Sequence, residues 1–400
     1  MRTAFCLVGL LAAWTAVTTG QAAATTLTDS QIFSQFNAVI FDDFSASSEV
    51  EGRVAVGGNL TSGTNVAIKP GLPTSSFGAL SVYGSVTDSG TINVDNGGSV
   101  AIAGSNSASI NLNNGGSAFV GGSNSGTLTA SGGAGNLTVI GTNSGALSLA
   151  SGGSVYVGNG NTGTIQLNGG SLTYAGSQGS VTNINGGTMT QVASPNPAAP
   201  TSTLGSFATT FQTPLTQLST QLSGVAANST ASSLSGAVTF NATPNSSGVA
   251  VFNINSSLLS GASSVAINLD GATSVIINVN VDSCSTNVCT FAPTANFLNP
   301  TDYASAVLWN FVNATNLNFT TEFGGSILAP DATVDNSNSI DGTLVAESDS
   351  GSTGELHSYP YTGTFPGSSV PTPEPASLML IGTGIAGLAA IRRRKVGPGR

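Results

Sequence analysis

The sequence predicts a mainly β fold, a parallel β-helix or solenoid with one long α-helix packed alongside. An N-terminal signal peptide and a single C-terminal hydrophobic helix flank this body. Three observations carry the prediction. Gly pairs recur at 97–98, 115–116, 132–133, 152–153, 169–170 and 186–187, spaced 18, 17, 20, 17 and 17 residues apart. Short runs that alternate apolar and polar residues follow them, as in SVAIAG at 99 and SVYVGN at 154; alternation at period two marks strands with one buried face. Each unit is too short to bury that face alone, so stacked units must share one core. A β-sandwich of regular hairpins is the competing arrangement, and it explains the even spacing less well.

Taken in order, residues 1–24 read as a secretory signal peptide. Arg2 precedes an apolar stretch from Ala4 to Val17, and small residues at Ala22–Ala24 supply the cleavage zone. Cys6 lies inside the apolar run, so it is not the lipidated first residue of a mature lipoprotein. Residues 25–370 form the solenoid body, with clear repeat coils over about 84–190. The expected buried set on the first strand of each coil is Val100 and Ile102, Ala118 and Val120, Leu137 and Val139, Val155 and Val157. Ile110, Leu112, Leu128, Leu147, Leu149, Ile165 and Leu167 supply the second strand. At about 4.8 Å per coil, five coils make a rod roughly 24 Å long. Gly and Asn provide the corners, where positive φ turns the chain between faces.

Three prolines in residues 191–203 mark a linker. Leu204, Phe207, Phe211, Leu215, Leu218 and Leu222 then fall at helical three-to-four spacing, which predicts an amphipathic helix over 204–226 lying along the rod. Pro214 starts or kinks it. From 237 to 350 the strand runs return in the same apolar phase and read as further coils of the same body.

Charge limits function. Only 6% of the residues are charged. Between Asp29 and Glu374 two cations, Arg53 and Lys69, face 18 acids, a net −16. Such a body cannot neutralise a row of phosphates, which excludes nucleic acid as a partner. Two cysteines survive export, Cys284 and Cys289, and an oxidising compartment favours a local disulfide over free thiols. The only His is His357, so zinc is not expected. Asp331, Asp335 and Asp341 could join carbonyls on calcium, but their spacing is not that of an EF-hand, and corner roles fit them better. Asp42, Asp43, Glu49 and Glu51 gather before Arg53. They read as a solvated first coil with Arg53 paired locally, rather than as an acid/base site. With so few cations and no Gly-x-Ser-x-Gly elbow, no catalytic residue, cofactor or metal is assigned and the chain is not expected to be an enzyme.

Residues 371–400 end the chain. Pro373-Glu374-Pro375 precedes a 16-residue apolar run, 376–391, and then Arg392, Arg393, Arg394 and Lys395. The run is slightly short for a bilayer span, and the basic block orients it with its end inside. This order resembles the PEP-CTERM sorting signal. The resemblance implies processing by an exosortase, transient insertion in the inner membrane, and export to the surface or matrix of a Gram-negative bacterium that makes exopolysaccharide.

A second resemblance covers roughly residues 30–360. FNAVIFDDFSASSEVEGRVAVGGNLT (36–61), SAVLWNFVNATNLNF (305–319) and GGSILAPDATVDNSNSIDGTLVAES (324–348) resemble the opening and closing segments of the choice-of-anchor A family. That implies an adhesive or structural surface protein, associated with exopolysaccharide or biofilm, whose partner is a glycan or a matrix protein. Two alternatives stay open: a glycan-active β-helix enzyme, and an ice-binding protein, whose layout of helix beside β-helix is similar. Thr127 and Thr129, Thr164 and Thr173 look scattered along the sequence, which places the ice reading last.

Overall fold

The computed structural model describes residues 27–45, 48–194, 196, 199–202 and 204–366. Strands stack in parallel into a three-faced coil. The first face is a ladder of fourteen strands. At ~4.8 Å per rung the rod is roughly 60 Å long. The second face is an eleven-stranded sheet; the third is reduced to single bridges from Phe44 to Asn161, whereas in the second half it carries the strands Val288–Phe291 and Asn316–Phe319 and the end of Ser326–Asn336. Every residue named above for the two strand sets is buried. Asn96, Asn114 and Asn185 take positive φ, and so do Gly97, Gly115, Gly132, Gly152, Gly169 and Gly186. These are the corners the Gly spacing predicts.

The order of the coils differs from the expected one. The coils of 237–350 do not continue from the end of the first set. The chain enters the ladder near its middle, with Ala38–Ile40, and winds outward to Thr188–Val192 at one end. It then returns along the side and starts again at the opposite end, with Val249–Asn255. From there it winds back until Leu344–Asp349 lies beside Ala38–Ile40. On the second face Leu356 pairs with Val50 across the same junction. Sequence periodicity reports that coils exist; it does not report which end of a rod they extend.

The return path is the predicted amphipathic segment. A π-helical turn, Ala208–Gln212, leads into α2, Thr213–Ser223, with Pro214 in its first turn. The helix is shorter than the 204–226 expected, and Leu204 precedes it. Phe207, Phe211, Leu215, Leu218 and Leu222 are buried against the outer side of the first face, together with Ile32 and Phe33 of α1, Asp29–Gln35. Amides on the sheet satisfy the carbonyls at the end of α2. Asn310 donates to Ser219 O (3.0 Å), Asn278 to Leu222 O (2.8 Å) and Asn253 to Val225 O (3.0 Å). A helix terminus packed on protein needs such partners.

The core changes character along the rod. In coils 100–172 it is aliphatic, whereas Phe240, Phe252, Trp309, Phe311, Phe319 and Phe323 fill the coils of the second half. Among the described residues no helix is long and apolar enough to cross a membrane. The expected signal peptide (1–24) and the apolar run 376–391 lie outside the described residues.

Candidate binding face

The outer side of the second face presents a regular polar surface. Its strands Thr91–Val94, Ser109–Leu112, Thr127–Ala130, Ala146–Leu149, Thr164–Asn168 and Ser180–Ile184 are in continuous parallel register. Ile, Leu and Val side chains point inward, so the alternate positions point out in two rows. One row is Thr91, Ser109, Thr127, Ala146, Thr164 and Ser180; the other is Asn93, Asn111, Thr129, Ser148, Gln166 and Thr182. None of these twelve residues is charged. In the second row Asn111 donates to Asn93 Oδ1 (2.9 Å) and Asn93 to Asn65 Oδ1 (2.8 Å), which fixes the amide planes.

This registration corrects the view that the threonines are scattered. Thr127 and Thr164 stand in one row, separated by Ala146, and Thr129 stands in the neighbouring row. Only Thr173 lies elsewhere, on the first face. Unequal coil lengths hide the alignment in the sequence.

The third face holds residues that the sequence reading missed. Asn106, Asn124, Asn143 and Asn161 stack in a buried ladder, each at most 1% exposed. Each amide donates to the next one's Oδ1, at 2.8, 2.7 and 2.7 Å, and also to the backbone carbonyl two residues on in its own coil. The signal was present as an Asn recurring in GSNS, GSNS, GTNS and GNGNT. Just after it Gly126, Gly145 and Gly163 let the coils touch; a Cβ at Gly145 would sit 1.8 Å from Gly126 O.

Titratable groups gather elsewhere, at the junction of the two halves. Asp341 is fully buried, and its Oδ1 lies 2.6 Å from His357 Nδ1. His357 Nε2 is 3.0 Å from Glu355 Oε2. Burial works to lower the His357 pKa, but the Glu355 and Asp341 hydrogen bonds and the nearby Asp341 and Glu51 charges outweigh it, so the net shift is upward. Burial, then the Asp341 charge, raises Glu322. Lys69 pairs with Glu51 at 3.5 Å.

Other expected positions fall as follows. Arg53 does not pair with the acids before it. It is buried and donates to the carbonyls of Gln35, Pro73, Phe77 and Gly78, with the Phe36 ring 5.8 Å away. The neighbouring coil needed a donor for carbonyls left between strands, and a buried guanidinium supplies five N–H groups. Asp43 accepts from the Asn59 N–H and Glu49 from Asn65, so these acids serve backbone and ladder contacts. Asp331 sits where the strand Ser326–Asn336 bends from one face to the next, Asp335 points outward from the same strand beyond that bend, and Asp341 is buried beside His357. The three do not converge. Cys284 and Cys289 form a disulfide that closes a small antiparallel hairpin. The sorting residues Pro373, Glu374, Pro375, Arg392, Arg393, Arg394 and Lys395 lie outside the described residues.

The family model described as "Putative Ice-binding-like adhesive domain" matches residues 29–125 and 114–358. The chain belongs to this family. A model of the PEP-CTERM protein-sorting motif matches residues 371–395. That motif is a substrate signal for exosortase, and it implies export through the membrane to the cell surface. No curated protein matches the sequence. Two solved structures are similar at 12% identity. One is an ice binding protein from an Antarctic bacterium, Flavobacteriaceae, with a TM-score of 0.23, covering 86% of this chain and all of that one. The other is the tapirin C-terminal domain of Caldicellulosiruptor kristjanssonii, with a TM-score of 0.26, covering 86% and 96%. Both superpositions are too loose to bear on fold or function.

Proposed function

We propose that this domain is a non-catalytic adhesive module of the choice-of-anchor A type, and that its second face binds an extended exopolysaccharide strand of the surrounding matrix. The carrying observation is the pair of uncharged rows on that face, Thr91 to Ser180 and Asn93 to Thr182, which repeat at one rung, ~4.8 Å. Hydroxyls and amides at a fixed repeat suit a polymer that presents hydroxyls at a fixed repeat. Many weak hydrogen bonds then add up along the strand. An exosortase substrate of a Gram-negative, exopolysaccharide-producing bacterium meets such a polymer where it is exported. Glu49, Asp341 and His357 lie on the junction strands of the same sheet, beyond the uncharged rows, which carry no acid of their own.

The test is retention on immobilised bacterial exopolysaccharides. Wild type is retained. A double variant, Asn111→Lys and Thr129→Lys, loses at least about tenfold in affinity, or 1.4 kcal/mol. Equal retention of both proteins would sink the assignment, and release of reducing ends would replace it with an enzyme. A second reading has one observation in its favour: the hydroxyls of Thr91, Thr127 and Thr164 are in register on a flat sheet, as ice binding requires. Thermal hysteresis that vanishes in Thr127→Lys would support ice as the ligand.

A further inference from the structure

The two ends of the rod are finished differently. At the Val249–Asn255 end the outer edge is occupied. Asn228 Nδ2 donates to Val249 O (3.0 Å), the Val251 N–H donates to Asn228 Oδ1 (2.8 Å), and the Ser229 N–H donates to Val251 O (3.1 Å). On the same coil, Thr230–Leu234 lies antiparallel to Ala237–Asn241, with its other side free of further strands. At the opposite end, Thr188–Val192 pairs with Ser171–Ala175 and, among the described residues, with no other strand. Ser180–Ile184 pairs only with Thr164–Asn168 in the same sense. Met189 continues the inward row of Val155 and Leu172, yet it is 45% exposed where each of those is 1% exposed. Among the described residues no coil covers this core position.

The strands at both ends of the rod, Thr188–Val192 and Val249–Asn255, are free of charged side chains. Residues 96–269 contain no Asp, Glu, Lys, Arg or His. Proteins commonly guard an open edge with charged side chains, and this edge has none. The acids cluster in the middle of the rod. A body of net −16 repels a copy of itself at long range, least strongly when the neutral ends meet.

We infer that two copies of this chain join end to end through residues 171–192, with Thr188–Val192 of one copy antiparallel to the same strand of the other about a two-fold axis. Met189 is buried in that contact. The contact is isologous, so it closes at a dimer and does not run on into a filament. A coil of this length approaches the 20–30 residues a side of a standard interface.

Sedimentation of the full chain over a wide concentration range tests this. A monomer–dimer equilibrium is expected. Raising the ionic strength from about 0.01 M to about 0.15 M shortens the screening length from about 30 Å to about 8 Å and tightens the dimer, because it screens the repulsion between acidic bodies. Met189→Lys, at an exposed position, weakens dimerisation at least about tenfold while its circular dichroism and melting temperature stay at the wild-type values. Leu234→Lys, on the 80% exposed Leu234 of the opposite end, leaves dimerisation unchanged. A monomer at every concentration, a dimer indifferent to Met189→Lys, or open-ended filaments would each overturn the inference.

Discussion

The arm of coils from 97 to 192 and the second half of the rod, 249–357, share one parallel ladder but are held together by different means. The arm is neutral and aliphatic. Its buried asparagine ladder repeats one inter-coil contact three times in the same way. The second half adds large aromatic side chains, a buried acid–imidazole contact, and an amide ladder under the helix in which Asn310 donates to Asn278 Oδ1 and Asn278 to Asn253 Oδ1, each at 2.8 Å. The difference follows from connectivity. In the arm every coil stacks on its sequence neighbour, so a single solution can be repeated. At the junction residues far apart in sequence meet, and nothing there recurs, so individual side chains carry more of the stability.

This contrast can be broken by measurement. The largest loss is expected at Trp309, which is fully buried, ringed by Phe240, Phe297 and Phe323, and donates from Nε1 to Gly324 O (2.9 Å). Trp309→Ala should cost about 3–5 kcal/mol in denaturant unfolding. Next comes Asn124→Ala, which removes the acceptor for Asn106 and the donor to Asn143; about 1–3 kcal/mol is expected. Asn143→Ala should cost the same within error. The double variant should lose less than the sum, because the two amides share a hydrogen bond. If Trp309→Ala costs no more than Asn124→Ala, the contrast between the halves is wrong.

Smaller again is removal of the disulfide. Cys284→Ser with Cys289→Ser opens a loop of five-residue separation, for which chain entropy gives at most about 2 kcal/mol. The subtlest effect is on pH. The folded state raises the His357 pKa above its ordinary 6.5. Its stabilisation is therefore complete below about that pH and fades as pH rises through the folded value. Glu322, raised above 4.5, acts in the same direction at lower pH: its contribution falls as pH rises from 4.5 through the raised value. Melting temperature should thus decline from mildly acidic to alkaline pH. The groups facing His357 are Asp341, Glu355 and Glu51. His357→Gln should flatten the upper part of the curve and shift the Glu322 part to higher pH, because the His357 charge holds the Glu322 pKa down. An unchanged profile would detach the junction from this titration.

Much of the arm was legible from residue order. Gly pairs gave the corners, and Val100, Ile110 and their successors gave the two inward rows, because strand alternation is a local property. The amphipathic stripe from Phe207 to Leu222 gave the helix and its docking face. Three things were not legible. Which end of the rod residues 249–349 occupy is a global choice that local patterns do not encode. The threonine rows were hidden because coils of 17 to 20 residues place registered positions at unequal spacings. Arg53 was assigned to nearby acids by sequence proximity, whereas its partners are carbonyls of Gln35, Pro73, Phe77 and Gly78, presented by the fold.

The meeting of the two halves also has a consequence in time. Thr343 donates to Phe36 O across 307 residues of chain, and such contacts form late because a long loop must close first. A chain that leaves the membrane N-terminus first therefore holds the rung Ala38–Ile40 with one side unpaired until residues 340–357 emerge. The sorting motif begins only at 371. The rung that closes the winding, Leu344–Asp349, precedes that motif closely in the chain, so the two halves can meet only when nearly everything up to the motif is present.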